Sequence, residues 1–540
     1  MPALSSSRAR ADRFLTSEEA WGRRALRRAS LTWWNASLSG RPRDYQRMEA
    51  AERAINRHFS RTAAFRRVGR LASVRSLDSL TRRRLQRIRL AYQAKQAPLE
   101  LLDRVTAAEA AIQETYSTFR GEFDGRRVTD NELEDILRTT RNTIQGRAAW
   151  LARKQIGGVV ADELRRLAEL RNTAARAIGF PDFWHQQLVL DELDPDDLLR
   201  TLRQVDEATK ASFGAMKADL DQRLADRFGI TPPALRPWHY GDPFFQETPE
   251  VFAPPTDPLY ADKDVVELAA ETYRQLGFRN IDAILARSDL YPRAGKNQHA
   301  YAVDIDREGD VRTFLNVESN ARWMGTLLHE LGHTIYQDGI DRTELPFDLR
   351  DDPQGFLNEG FAMFCEQPTL DAEWLGEIVG LPDEQARQLT PQLVAQERSA
   401  LLAFIRWSLT IVNFERAFYT DPSQDLNRLW WDLEERYQQV PRPEGRDAPD
   451  WASKVHVATA PVYYHKYLLG RMFAAQLTDR VDRRFGGWWH GRQRSGGYVR
   501  SELFAPGATY PWSELVKRVT GRPLGVDALA AAVSWPPIGT

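Results

Sequence analysis

Most of the first 230 residues of this 540-residue chain repeat apolar side chains at three- and four-residue steps, and none of this stretch alternates as a strand does. The segments 133–137 and 161–171 show the step clearly, and Asp194-Pro195-Asp196-Asp197 has the Pro and acidic residues that suit a helix's first turn. The middle of the chain changes character. Pro232-Pro233, Pro237, Gly241-Asp242-Pro243 and a Pro-rich loop at 253–258 punctuate the helices. Residues 298–305 and 311–317 then flank the turn-like Arg307-Glu308-Gly309-Asp310, which predicts a β-hairpin, and helical periodicity resumes to Trp535. The expected class is mostly α with a small antiparallel sheet.

Charge and composition narrow the partners. Seventy-four Lys+Arg stand against 75 Asp+Glu, a formal net charge of −1, so no whole-molecule field would draw nucleic acid. The arginine-rich stretch 53–89, with Arg82-Arg83-Arg84, reads as a solvated helix face rather than a nucleic-acid site. No apolar run approaches the roughly 20 residues of a membrane span, and the single cysteine, Cys365, forms no intramolecular disulfide. No membrane or nucleic-acid partner is expected. The expected location is cytoplasmic, or secreted or periplasmic if a signal peptide has been removed.

The chemistry is concentrated in His329-Glu330-Leu331-Gly332-His333, an H-E-x-x-H motif that follows the hairpin. Four residues make about one helical turn, so both imidazoles project from one face and suit a single Zn²⁺. Glu330 points away from the two histidines, toward the metal's open position, where it could take a proton from water. A catalytic zinc site needs a third protein ligand. After a loop with Gly339, Pro346 and Pro353, Glu359 opens an apolar helical segment, 358–364, where coordination would give a carboxylate reason to be buried. The alternative for Glu359 is an acidic residue in a helix's first turn.

The spacing of these residues and their flanks resembles the angiotensin-converting enzyme family of dipeptidyl carboxypeptidases. His299-Ala300-Tyr301-Ala302-Val303-Asp304 looks like the family's substrate strand. His329 to Tyr336 is similar to its metal helix, and Leu345-Pro346-Phe347-Asp348-Leu349-Arg350 to the connection toward the third ligand. Lys454-Val455-His456 followed by Tyr464-His465-Lys466-Tyr467 resembles a Lys-x-His and Tyr-x-x-Tyr pair with one extra residue between, which leaves Tyr463 and Tyr464 both open for the first tyrosine. Phe245-Gln246-Glu247-Thr248 resembles a further family segment, and weaker similarity extends from about residue 12 to the C-terminus.

The resemblance implies one zinc per chain held by His329, His333 and Glu359, with Glu330 activating water and protonating the leaving amine. It implies His456 and Tyr467 as donors to the developing oxyanion. Gln246, Lys454 and Tyr464 would grip a free C-terminal carboxylate, His299 a substrate carbonyl, and the Ala300–Ala302 strand edge the peptide backbone. The implied architecture is a two-lobed helical ellipsoid around a deep central groove, with the small sheet beside the zinc helix and Arg-rich N-terminal helices over the opening. Residues 1–11 would be an N-terminal tail, and 12–540 a single zinc metallopeptidase domain in two interleaved lobes. Partners would be short peptides with a free C-terminus.

Two positions depart from the family pattern. Met363 stands where the family has an Asp that orients a zinc histidine, and Glu366, on roughly the same face as Glu359, could replace it, a spacing similar to thimet-type oligopeptidases. Lys466 stands where the family has a chloride-binding Arg, so chloride activation is an open question. Two other readings remain on this scaffold: a thimet-like endo-oligopeptidase, and a catalytically weak peptide-binding homologue.

Overall fold

A computed structural model describes residues 2–536. Among these it has twenty-one α-helices and two small antiparallel sheets of two strands each, so the chain is mostly α. The helix starts carry the signals expected of them. Asp194 caps the helix Pro195–Phe228 by accepting from the Asp197 N–H at 2.9 Å. A Thr129/Glu132 capping box opens Asp130–Thr139, and Asn142 caps Thr143–Ala177.

The hairpin lies at Tyr301–Asp304 and Val311–Phe314, with register Tyr301↔Phe314 to Asp304↔Val311. Arg307 and Gly309 take positive φ in its turn. A second hairpin, Gly121–Phe123 with Arg126–Val128, falls inside the mostly helical stretch in which no strand is expected. Its turn is Asp124-Gly125, both residues at positive φ, the conformation that an Asp-Gly pair accommodates at little cost.

The described residues divide into two compact units, each drawn from three stretches of the chain. The first takes Met1–Gln96, Pro255–Arg387 and Leu469–Gly525; the second takes Ala97–Pro254, Gln388–Leu468 and Val526–Thr540. The first unit opens on the helix Pro2–Ser39, which runs straight through the tail boundary expected at residue 12. Ala11, Phe14 and Leu15 recur at helical spacing and are buried with Val68, Leu71, Leu85 and Tyr92, so this segment is part of a core.

In the arginine-rich stretch the arginines from Arg53 to Arg82 are exposed, as expected of a solvated face, but those that follow are not. Arg83 is buried and donates to the Ala508 carbonyl at 3.0 Å. Arg84 pairs with Asp348 at 2.7 Å and Glu19 at 3.0 Å, and Arg87 with Asp351 at 3.0 Å. These guanidinium groups are used inside the unit, to hold the connection 345–353. No helix of the described residues is long and apolar enough to cross a membrane.

Candidate active site

The H-E-x-x-H motif lies in the helix Ala321–Asp338, which Asn320 caps by accepting from the Trp323 N–H at 2.9 Å. Its buried face carries Met324, Leu327, Leu328, Leu331, Ile335 and Tyr336. Glu359 lies in the helix Gly355–Cys365, five residues in and so past the first turn, where a purely capping acidic residue would sit.

Glycine lets these helices approach closely. A Cβ at Gly332 would come within 3.1 Å of the Ala362 Cα, and one at Gly360 within 2.5 Å of the Gly470 carbonyl oxygen. The Gly332 contact brings His333 up to the Glu359 helix, and the Gly360 contact seats that helix on Tyr464–Phe485.

His329, His333 and Glu359 each offer one donor atom, all within 4.8 Å of one another. The two Nε2 atoms are 3.2 Å apart, and Glu359 Oε2 lies 3.7 Å and 3.8 Å from them. With zinc–ligand distances of about 2.1 Å, the edge of a zinc tetrahedron is roughly 3.4 Å. Two imidazoles and a carboxylate at this separation fit a zinc ion. Among the described residues no other group of His, Cys, Asp and Glu is gathered in this way.

The outward nitrogens of both rings are occupied. His329 Nδ1 lies 2.5 Å from Glu366 Oε1, so Glu366 supplies the carboxylate that Met363, buried in the core, does not. His333 Nδ1 lies 2.8 Å from Asn358 Oδ1, and Asn358 Nδ2 donates to Asp352 Oδ2 at 3.2 Å. Sequence reasoning gave no role to Asn358 or Asp352. Asn358 directly precedes the candidate ligand, but neither periodicity nor motif spacing marks an amide as a histidine's partner.

Charges in this cluster are strongly coupled. Among the protein groups alone, burial opposes a charged His329, yet the Glu366 hydrogen bond and the nearby carboxylates outweigh it and lift the imidazole to about 9. Burial and the His329 charge push His333 down to about 3. The Glu366 carboxylate behind His329, where His333 has only a neutral amide, explains the opposite directions, and a zinc ion would compete with a proton on either Nε2. Burial pushes the Glu330 carboxyl up to about 7; His329 pulls it down, while Glu359 and Glu366 push it further.

The hairpin packs on the motif helix, where the buried hydroxyls of Thr313 and Thr334 share a 2.7 Å hydrogen bond. Among the described residues the strand Tyr301–Asp304 pairs only with Val311–Phe314, so one edge, with Ala302 half-buried, has no strand neighbour. Ala300 directly precedes this strand. His299 is exposed, its N–H held by Asn297 Oδ1 at 2.9 Å.

The remaining candidates belong to the second unit and converge within it. Lys454 Nζ donates to Gln246 Oε1 at 2.6 Å, and Tyr464 Oη donates to the same oxygen at 3.4 Å. The Tyr464 ring lies 5.3 Å from His456 and 5.6 Å from Tyr467. Residues 208 and 218 positions apart are thus brought onto one amide. Asp242 Oδ1 accepts from the Phe244 and Gln246 N–H groups and fixes the loop that carries Gln246. Lys454 is buried, which pushes its ammonium down to about 8 against the pull of Asp242. Lys466 pairs with Asp191 at 2.7 Å. Cys365 is buried in the core and holds no ligand position.

With this geometry in place, known sequences supply the family. The model of "Peptidase family M3" matches residues 138–534, well over half of the chain. The chain belongs to peptidase family M3. The angiotensin-converting enzyme model matches residues 5–232, so M3 and angiotensin-converting enzyme likenesses overlap in one M3 sequence. "Angiotensin-converting enzyme-related protein" of Drosophila melanogaster is 23% identical over 286 residues, 48% of this chain and 44% of the fly protein. The match thus spans less than half of that relative's length. These matches bear out the resemblance read from the motifs.

Proposed function

We propose that this M3 metallopeptidase is a zinc-dependent dipeptidyl carboxypeptidase that removes dipeptides from the free C-termini of short peptides. The observation that carries the reading is the meeting of Lys454 and Tyr464 on Gln246, a buried cation and two hydrogen-bonding groups suited to a carboxylate. His329, His333 and Glu359 would hold the zinc, which when bound polarises a carbonyl and makes water more acidic. Glu330 takes the proton from the attacking water and delivers it to the leaving amine. His456 and Tyr467 donate to the oxygen that gains charge. The unpaired edge of Tyr301–Asp304, with Ala300 and His299, binds the peptide main chain in a manner tolerant of sequence. Both units, each drawn from three stretches of the chain, serve one enzyme on this reading. Lys466, already neutralised by Asp191, leaves no call for chloride.

A second reading has its own support. The broad M3 match and the Glu366–His329 contact favour a thimet-like endo-oligopeptidase. One assay separates them: the same peptide with a free or an amidated C-terminus, its products weighed by mass spectrometry in buffer with and without chloride. Dipeptide release that disappears on amidation and ignores chloride is expected. Equal cleavage of both peptides contradicts the carboxylate clamp and favours the endopeptidase, and a chloride requirement contradicts the Lys466 argument. The cytoplasmic location is proposed on the same footing, and fractionation of the native host cells that finds the protein outside the cytoplasm contradicts it.

A further inference from the structure

His329 and His333 receive unequal support. His329 meets a carboxylate directly, at Glu366, whereas His333 meets a neutral amide. The amide is not free to turn. A carboxylate only accepts, so Asp352 draws the Asn358 NH₂ toward itself and leaves Asn358 Oδ1 facing His333 Nδ1. That oxygen in turn only accepts, so His333 must carry its proton on Nδ1 and keep the Nε2 lone pair on the side of His329 and Glu359.

Asp352 is itself held. Its N–H donates to Asp351 Oδ1 at 3.1 Å, and its carbonyl accepts from Arg87 Nη1 at 3.2 Å. Arg87 Nη2 meets Asp351 Oδ2 at 3.0 Å, and Arg307 also pairs with Asp351. Arg87 lies in the helix Ser79–Gln93, more than 240 residues before His333.

We propose that Asp352 and Asn358 form a relay that positions His333 in its metal-binding tautomer, with Arg87 of the N-terminal helices anchoring the relay. Asp352 and Asn358 are positioning residues: they act on zinc through His333. This rests on the zinc reading above. Its physical content is that the amide transmits the preference of a carboxylate one residue further out, as partners behind ligating histidines do elsewhere.

The test is the zinc dissociation constant of the full chain, measured by chelator competition at one pH, with the cobalt absorption spectrum of the substituted protein as a second readout. Asp352→Leu and Asn358→Leu are expected to weaken zinc binding by about ten- to a hundredfold and to alter the cobalt spectrum. The double exchange, Asp352→Asn with Asn358→Asp, keeps an acceptor on His333 and a donor behind it, and is expected to restore binding to within about threefold of wild type. Should a leucine variant fail to fold, by circular dichroism, the exchange still decides. Wild-type affinity in both leucine variants, or an exchange that binds as poorly as they do, overturns the relay. A wild-type chain that binds no zinc overturns the metal reading beneath it, a separate result.

Discussion

At the scale of single residues, the candidate metal centre depends as much on what is missing from two positions as on its donors. Gly332 and Gly360 adjoin His333 and Glu359, and a methyl group at either would collide with a neighbouring helix. Gly360→Ala would set a Cβ 2.5 Å from the Gly470 carbonyl oxygen, a backbone atom that has no rotamer by which to escape. The expected cost is about 1–3 kcal/mol of stability, together with weaker zinc binding as Glu359 is displaced. Thermal melting with a zinc titration checks it, and a variant as stable as wild type with unchanged affinity contradicts the close-approach argument. The two histidines were legible in the sequence because spacing of four on a helix is a geometric statement, while Glu359 was read from its apolar surroundings and the resemblance. Asn358 and Asp352 were not, since their role depends on how the connection 339–354 returns to the motif helix.

At the scale of elements, the segment 454–464 carries Lys454, His456 and Tyr464, and it is held against strain. Val462, a β-branched residue, sits at φ +55°, where such side chains crowd the backbone. Its N–H donates to Glu415 Oε1 at 2.8 Å, while Arg171 donates to the carbonyls of Val457 at 3.3 Å and Ala458 at 2.5 Å. Burial pushes the Glu415 carboxyl from 4.5 up to about 8, against the Val462 N–H and Arg171, which pull it down. The folded state therefore holds this proton more tightly than the unfolded chain. Its contribution to stability is full below 4.5 and is lost as pH rises through about 8. Glu415→Gln keeps the acceptor and removes the titration. Unfolding free energies across that range are expected to fall less steeply in the variant, and parallel curves contradict a buried neutral Glu415. None of this was visible in sequence, where 454–464 was only a motif. The hairpin at 301–314 was visible, through its alternation and turn, while the one at 121–128 was too short to interrupt the helical periodicity around it.

At the scale of the whole molecule, near-neutral net charge described the partners the chain lacks a field for, and the functional charges are local. The mostly helical class followed from apolar steps repeated over hundreds of residues. The division into two units, each assembled from three stretches, did not follow from linkers, because two of the crossings, at 387/388 and 468/469, fall inside the helices Asp383–Thr420 and Tyr464–Phe485. The arginines at 83, 84 and 87 show the same limit: composition marked them as basic, and only the fold assigned their carboxylate and carbonyl partners. That this M3 chain works as a zinc hydrolase with Glu330 as its base is the central claim. Hydrolysis of an N-blocked tripeptide by Glu330→Gln, compared with wild type at equal bound zinc, tests it most directly. The predicted result is a rate lowered by about 10²–10⁴-fold with zinc retained, and hydrolysis at the wild-type rate would contradict it.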